Sequence, residues 1–185
     1  MEEYINRIVE NFKKTKVFNK KGNDITLEKA FNQSVKEIAK LKKTKNKIIF
    51  IGNGGSAAVA SHKALDFWNS FGVKSISFSD SVNLTCMSND YGYEYVFSKQ
   101  MEMFIEKGDL VIAISSSGNS KNILLAVDMA SKKGNKILTF TGFEENNNLR
   151  KRGDLNFYTP SSHYNQVEAT HLLLIDYILE SIINL

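Results

Sequence analysis

Two short stretches of the chain combine glycine, small residues and hydroxyls where an apolar run ends and a helical pattern begins. The first is Gly52-Asn53-Gly54-Gly55-Ser56, within "FIGNGGSAAVASH". The second is Ser115-Ser116-Ser117-Gly118-Asn119-Ser120. Glycine lets the backbone approach a ligand, and the free N–H groups of a helix start point at it. Serine hydroxyls add adjustable donors. Neither loop supplies a cation, so the pair reads as a neutral cradle for a phosphate monoester. A Walker loop would need Gly-Lys-Ser/Thr after its glycines, and that is absent. A dinucleotide fingerprint fits loosely: Gly52-x-Gly54-x-x-Ala57, with Asp80 ending the next strand as a ribose-binding acid would. A tight turn with Ser56 as helix cap is the structural alternative for the first loop. It leaves "SSSGNS" unexplained, and two such loops on one small sheet favour a phosphorylated ligand.

The elements that must hold these loops alternate. "KIIFI" (47–51), "SISFS" (75–79), "DLVIAI" (109–114) and "KILTFT" (136–141) are short β-branched and aromatic runs, and "LNFYT" (155–159) is a weaker fifth. Helical stretches lie between most of them, at 56–70, 94–106 and 120–133, and an apolar helix closes the chain at 165–183. Two amphipathic helices precede the first strand, at 1–15 and 26–43, with a break at "NKKGND" (19–24). Buried strands alternating with helices predict an α/β three-layer sandwich, a parallel sheet with helices on both faces. Ligands of such sheets bind at the carboxyl ends of the strands, where both loops fall.

Composition narrows the class. The 185 residues suit one domain, with 42% hydrophobic and 11% aromatic residues. The net charge of +4 is modest, and the lysine run "KKTKNK" (42–47) reads as a solvated helix end, so no nucleic-acid partner is expected. The single cysteine, Cys86, excludes an internal disulfide and fits a reducing cytoplasmic setting. The N-terminus lacks the pattern of a signal peptide, and no apolar run approaches the ~20 residues of a membrane span.

Four segments in order, "GNGGSAAVASH", "SISFSDSVNLTCMSNDYGYEYVFSKQ", "GDLVIAISSSGNSKNI" and "KILTFTG", resemble the sugar isomerase (SIS) domain family. The block "SNDYGYEYVFSKQ" is similar to its phosphoheptose isomerase branch. The resemblance runs over essentially the whole chain, as one domain over 1–185 with helices 1–45 in oligomer contacts and the α/β core in 46–185. It implies a five-stranded parallel sheet and a homotetramer with active sites at subunit contacts. It implies conversion of sedoheptulose 7-phosphate to D-glycero-D-manno-heptose 7-phosphate, toward bacterial surface glycans, with no nucleotide cofactor. Ser56, Ser115, Ser116, Ser117 and Ser120 match the family's phosphate and sugar binders, with Gly54 and Asn119 in the same loops. Asn53 and Asp90 match its sugar-contacting positions.

An aldose–ketose isomerisation moves a proton between C1 and C2 through an enediol, and needs a base, an acid and help for developing negative charge. In the family, a glutamate after the first loop and a histidine on the last helix do this work. This chain has Asp66 and Asp176 there, with the family's histidine kept as His62 and its glutamine replaced by Glu168. His62 and Asp66 are i, i+4 on one helix face, and Glu168 and Asp176 lie about 80° apart around the last helix. One histidine and three carboxylates converging would suit zinc or another divalent ion, as in some family members. His171 matches a family position but reads equally as structural, and His163 lies in a loop. Two further readings share the phosphate loops: a non-catalytic sugar-phosphate sensor, and an isomerase of another phosphorylated sugar.

Overall fold

The computed structural model of the chain describes residues 1–183. Helix α1 (Glu2–Lys13) leads into a hairpin, β1 (Lys16–Asn19) and β2 (Asp24–Ile25), and then α2 (Leu27–Leu41). The core follows as β3 (Ile48–Gly52), α3 (Gly55–Asn69), β4 (Ser75–Ser77), α4 (Ser81–Tyr91), α5 (Val96–Phe104), β5 (Leu110–Ser115), α6 (Lys121–Lys132), β6 (Lys136–Thr141), β7 (Leu155–Tyr158) and α7 (Tyr164–Ile183). No helix among the described residues is long and apolar enough to cross a membrane.

The sheet order is β2-β1-β7-β6-β5-β3-β4. The five strands from β7 to β4 are parallel, as the sequence predicts. The sheet nevertheless has seven strands, because the N-terminal segment is not a plain helical pair. The hairpin β1–β2 folds against the edge, and β1 runs antiparallel to β7 with Val17 opposite Phe157.

Strand alternation divides the apolar residues between two cores. Ile48, Phe50, Leu110, Ile112, Phe140 and Phe157 face α2, α3 and α7. Ile49, Ile51, Val111, Ala113 and Ile137 face α5 and α6. Strand β3 feeds β4 on one side and β5 feeds β6 on the other, while β3 and β5 are neighbours. Their connecting helices α3 and α6 lie on opposite faces, so a crevice opens at the carboxyl ends of β3 and β5. Both small-residue loops begin at that point.

Candidate active site

The two loops enclose one cavity of about 390 Å³ at this crevice. Ser56 and the hydroxyls of Ser115, Ser116, Ser117 and Ser120 line it, with Asn53, Gly54 and Gly55. The helix starts differ in a telling way. Helices α2 and α4 are closed by side chains: Thr26 accepts from the Lys29 amide, and Asp80 accepts from the Asn83 amide at 3.0 Å. Helices α3 and α6, which start at the cavity, carry no side-chain cap. The first N–H groups of a helix have no partner inside it, so these two starts offer donors and positive dipole ends to a ligand. The cap position of α3 is Gly54 rather than Ser56, at φ 55°, a conformation that favours glycine. Asp80, the candidate ribose acid, is a helix cap.

Most of the predicted cradle comes together. Ser116 Oγ is buried with no hydrogen-bond partner among the described residues, and the Ser115 and Ser120 hydroxyls lie 3.5 Å apart. Asn53 is held by a reciprocal amide pair with Asn122, 2.9 Å in each direction, and the Tyr93 hydroxyl donates to its Oδ1 at 3.0 Å. Sequence reasoning missed Asn122 and Tyr93, and also Tyr164, which lines the cavity. Their only local signal is position shortly after a loop or before a helix.

Two predicted binders stand apart from the cavity within one chain. Asn119 turns outward, its Oδ1 accepting from the backbone and side-chain amides of Asn148 at 3.1 and 3.0 Å. Asp90 lies on the exposed side of α4, bonded to Asn89 and to the Cys86 thiol. That carboxylate holds the thiol above its ordinary pKa, chiefly through the hydrogen bond.

The four residues expected to share a divalent ion fall into two places. Glu168 lines the serine-rich cavity, packed so tightly over Gly55 that a side chain there would collide with its carboxylate. Burial raises its pKa above the ordinary carboxylate value. Asp66 and Asp176 meet farther along the helices, with His62 Nε2 3.3 Å from Asp66 Oδ2. Gly55 faces Glu168 and Lys63 faces Asp176, so α3 and α7 run side by side in one direction. Eight residues separate Glu168 from Asp176, about 12 Å along α7 at 1.5 Å per residue. The 80° between them is correct, but the axial rise keeps both from one ion within a chain. Between the two aspartates lies a side chain that no motif singled out. Lys63, 2% exposed, donates from Nζ to Asp66 Oδ2 at 2.5 Å and to Asp176 Oδ1. Among the described residues no three His, Cys, Asp or Glu side chains converge as a metal-holding group. The residues present therefore do not fit a divalent centre within one chain.

The remaining histidines separate clearly. His171 is fully buried, its Nε2 3.1 Å from the Thr141 carbonyl at the end of β6. A carbonyl only accepts, so Nε2 carries the proton and His171 ties α7 to the sheet. His163 is exposed in the loop before α7.

A parallel sheet whose switch point holds a hydroxyl-lined cavity between two helix starts defines an α/β domain with its ligand site at the carboxyl ends of the strands. The chain belongs to the SIS domain family, whose sequence profile matches residues 12–142. It is 39% identical over 143 residues to the phosphoheptose isomerase of Thermodesulfovibrio yellowstonii, covering 74% of this chain and 71% of that protein. It is 35% identical over 163 residues to the phosphoheptose isomerase of Helicobacter pylori, covering 85% and 84%. The solved phosphoheptose isomerase of Neisseria gonorrhoeae superposes with a TM-score of 0.85 at 27% identity, covering 100% of this chain and 95% of that one.

Proposed function

We propose that the protein is a phosphoheptose isomerase, converting sedoheptulose 7-phosphate to D-glycero-D-manno-heptose 7-phosphate. The observation that carries the reading is the cavity itself: two uncapped helix starts and a set of serine hydroxyls converge without a cation. That arrangement suits a phosphate monoester. Asp66 is the base that removes the C1 proton while O2 gains one, giving the enediol. Asp176 is its partner as the proton returns to C2 and the C1 oxygen loses its own, leaving the aldehyde. The family supports these roles, as does the meeting of both carboxylates at Lys63.

Ten residues of α3 separate Ser56 from Asp66, about 15 Å of axial rise. From C2 to phosphorus an extended heptose 7-phosphate spans about 9 Å, at roughly 1.3 Å per bond. That separation exceeds the length of the substrate and supports a site completed by a second copy, with one chain's cradle and a partner's acids serving the same molecule. Large apolar side chains flank the acids in the open: Leu65 and Trp68 beside Asp66, Leu173 and Tyr177 beside Asp176. Tyr4, Ile5 and Val9 extend the exposed apolar surface onto α1, which packs on α7. These features support a homotetramer in which a partner's cradle faces each acid pair.

The test is purified protein with sedoheptulose 7-phosphate and a coupled heptose 7-phosphate kinase. Turnover abolished by Asp66→Ala establishes the isomerase and its base. No turnover, with the ligand still raising the melting temperature, favours a sensor or an isomerase of another sugar phosphate. Neither turnover nor thermal shift refutes the substrate.

A further inference from the structure

Where a divalent ion would bridge Asp66 and Asp176, the chain places its own cation. Lys63 lies eight residues, just over two turns, beyond the Gly55–Glu168 contact between α3 and α7, with its stem among buried residues of α3 and its ammonium on both carboxylates. A buried ammonium is costly unless paired and hydrogen-bonded, and this one has two charged acceptors. The pairing spans α3 and α7, so it fixes the two acids relative to each other. A metal within bonding distance of both carboxylates, at about 2.1 Å from each, would have to displace Nζ. Two cations repel too strongly to share that point.

We propose that Lys63 is the resident cation of the acid pair, a positioning residue that holds Asp66 and Asp176 in register and takes the place of a divalent metal. The inference rests on the reading of these aspartates as the proton-transfer pair. Its consequences extend beyond it: the native oligomer needs no metal, and removing the ammonium opens a site for one. Lys63→Met is the informative variant. Methionine keeps the length and apolar packing of the stem and leaves two carboxylates on either side of the vacated point, with His62 Nε2 3.3 Å from one of them.

The experiment uses the full-length protein in its native oligomeric state. Metal analysis of wild type should find far less than one ion per chain. Its melting temperature should be unmoved by chelation or by added zinc chloride. Lys63→Met should gain a melting-temperature rise with zinc chloride that chelation reverses. In the isomerase assay it should lose kcat by about 10²-fold, as when one preorganised charge is removed, with KM changed less than about threefold. A kcat-only loss separates positioning from general damage, because the phosphate cradle lies turns away, and Lys63→Arg should recover part of it. Stoichiometric metal in wild type, with a melting temperature that falls on chelation, would overturn the proposal. So would a Lys63→Met protein that ignores zinc or keeps wild-type kcat. If no protein turns over the sugar phosphate, the isomerase reading fails, while the metal and melting arms still decide whether Lys63 holds a cation's place. Those arms on wild type do not depend on any variant folding.

Discussion

One buried side chain, His171, should contribute a definable part of this protein's loss of stability in acid. Its ring is fully buried on α7, donating from Nε2 to the Thr141 carbonyl, and Nδ1 has no partner among the described residues. Burial pushes its pKa down to about 4, and the hydrogen bond to Thr141 offsets only part of that. In the unfolded chain the ring takes a proton near 6.5. Between those values the unfolded state binds the proton and the native state does not, so stability falls as the pH drops from 6.5 toward 4. The loss is about 2 kcal/mol at pH 5 and about 3 kcal/mol once the pH is below both values, at 1.36 kcal/mol per pH unit between them. Urea unfolding at pH 7.5 and pH 5 measures it. Other groups also titrate in this range, so the comparison is with His171→Leu, whose pH dependence should be shallower by about that amount whatever its starting stability. The chain has three histidines, His62, His163 and His171. Their ring resonances can therefore be assigned by variant and followed by NMR on the wild type alone. Equal pH dependence in the two proteins, or a His171 resonance titrating near 6.5, would refute the reasoning.

Three further outcomes follow from the same geometry. Gly55→Ala should push aside the Glu168 carboxylate, the free end of a flexible side chain, at a cost of no more than about 1 kcal/mol, and that cost should vanish in a Glu168→Ala background; a larger cost that persists there in a double-mutant cycle would contradict the contact. Glu168→Gln should be more stable than wild type at pH 7 and equal to it near pH 4, because burial raises the native carboxyl above its unfolded value and the native state loses ground as pH climbs past about 4.5. The same variant should lower KM for the sugar phosphate at pH 8, where an ionised carboxylate in the cradle repels the phosphate; an unchanged KM removes Glu168 from that role. Finally, Asp66→Asn and a cradle-defective Ser116→Tyr should each be inactive alone, yet regain about a quarter of wild-type activity after co-refolding, the share of sites that pair an intact cradle with a partner's intact acids under random mixing. No recovery, with mixed oligomers demonstrated, would place each complete site within one chain.

The central strands β3 and β5 were legible because each is buried along its whole length and reads as a nearly continuous apolar run, and the flanking β4, β6 and β7 followed from their β-branched and aromatic residues between helical stretches. The hairpin was not. β1 has four residues, and only Val17 and Phe18 of Lys16-Val17-Phe18-Asn19 are apolar, too short a run to read as a strand between a helix and the break at 19–24. What makes it a strand is its pairing with β7, nearly the whole chain away. Helix α4 was invisible for the opposite reason. It buries no residue, so "SVNLTCMSNDY" has no stripe to detect, and only the cap at Asp80 marks its start. The cradle was readable because its chemistry lies within two contiguous loops. Asn122 and Tyr93 were not, since each acts by holding Asn53 from a distant part of the chain.

The acid site shows why angular reasoning on a helix is incomplete. Projection around the axis correctly set Glu168 and Asp176 on neighbouring faces, and His62 beneath Asp66. It discarded the axial coordinate, and eight residues of rise carry Glu168 to the phosphate cradle and Asp176 away from it. The same projection hides Lys63. In sequence it is a charged letter next to His62, the kind usually given to solvent. Its neighbour on the folded chain is Asp176, 113 positions away, and the direction of α7 beside α3 decides that meeting. With α7 reversed, Glu168 would have met Lys63 and Asp176 the cradle. The separation of the serine-lined cavity from the Asp66–Lys63–Asp176 cluster thus depends on the parallel course of two helices. On the function proposed above, it also calls for two copies of the chain to complete a site for one substrate of this length.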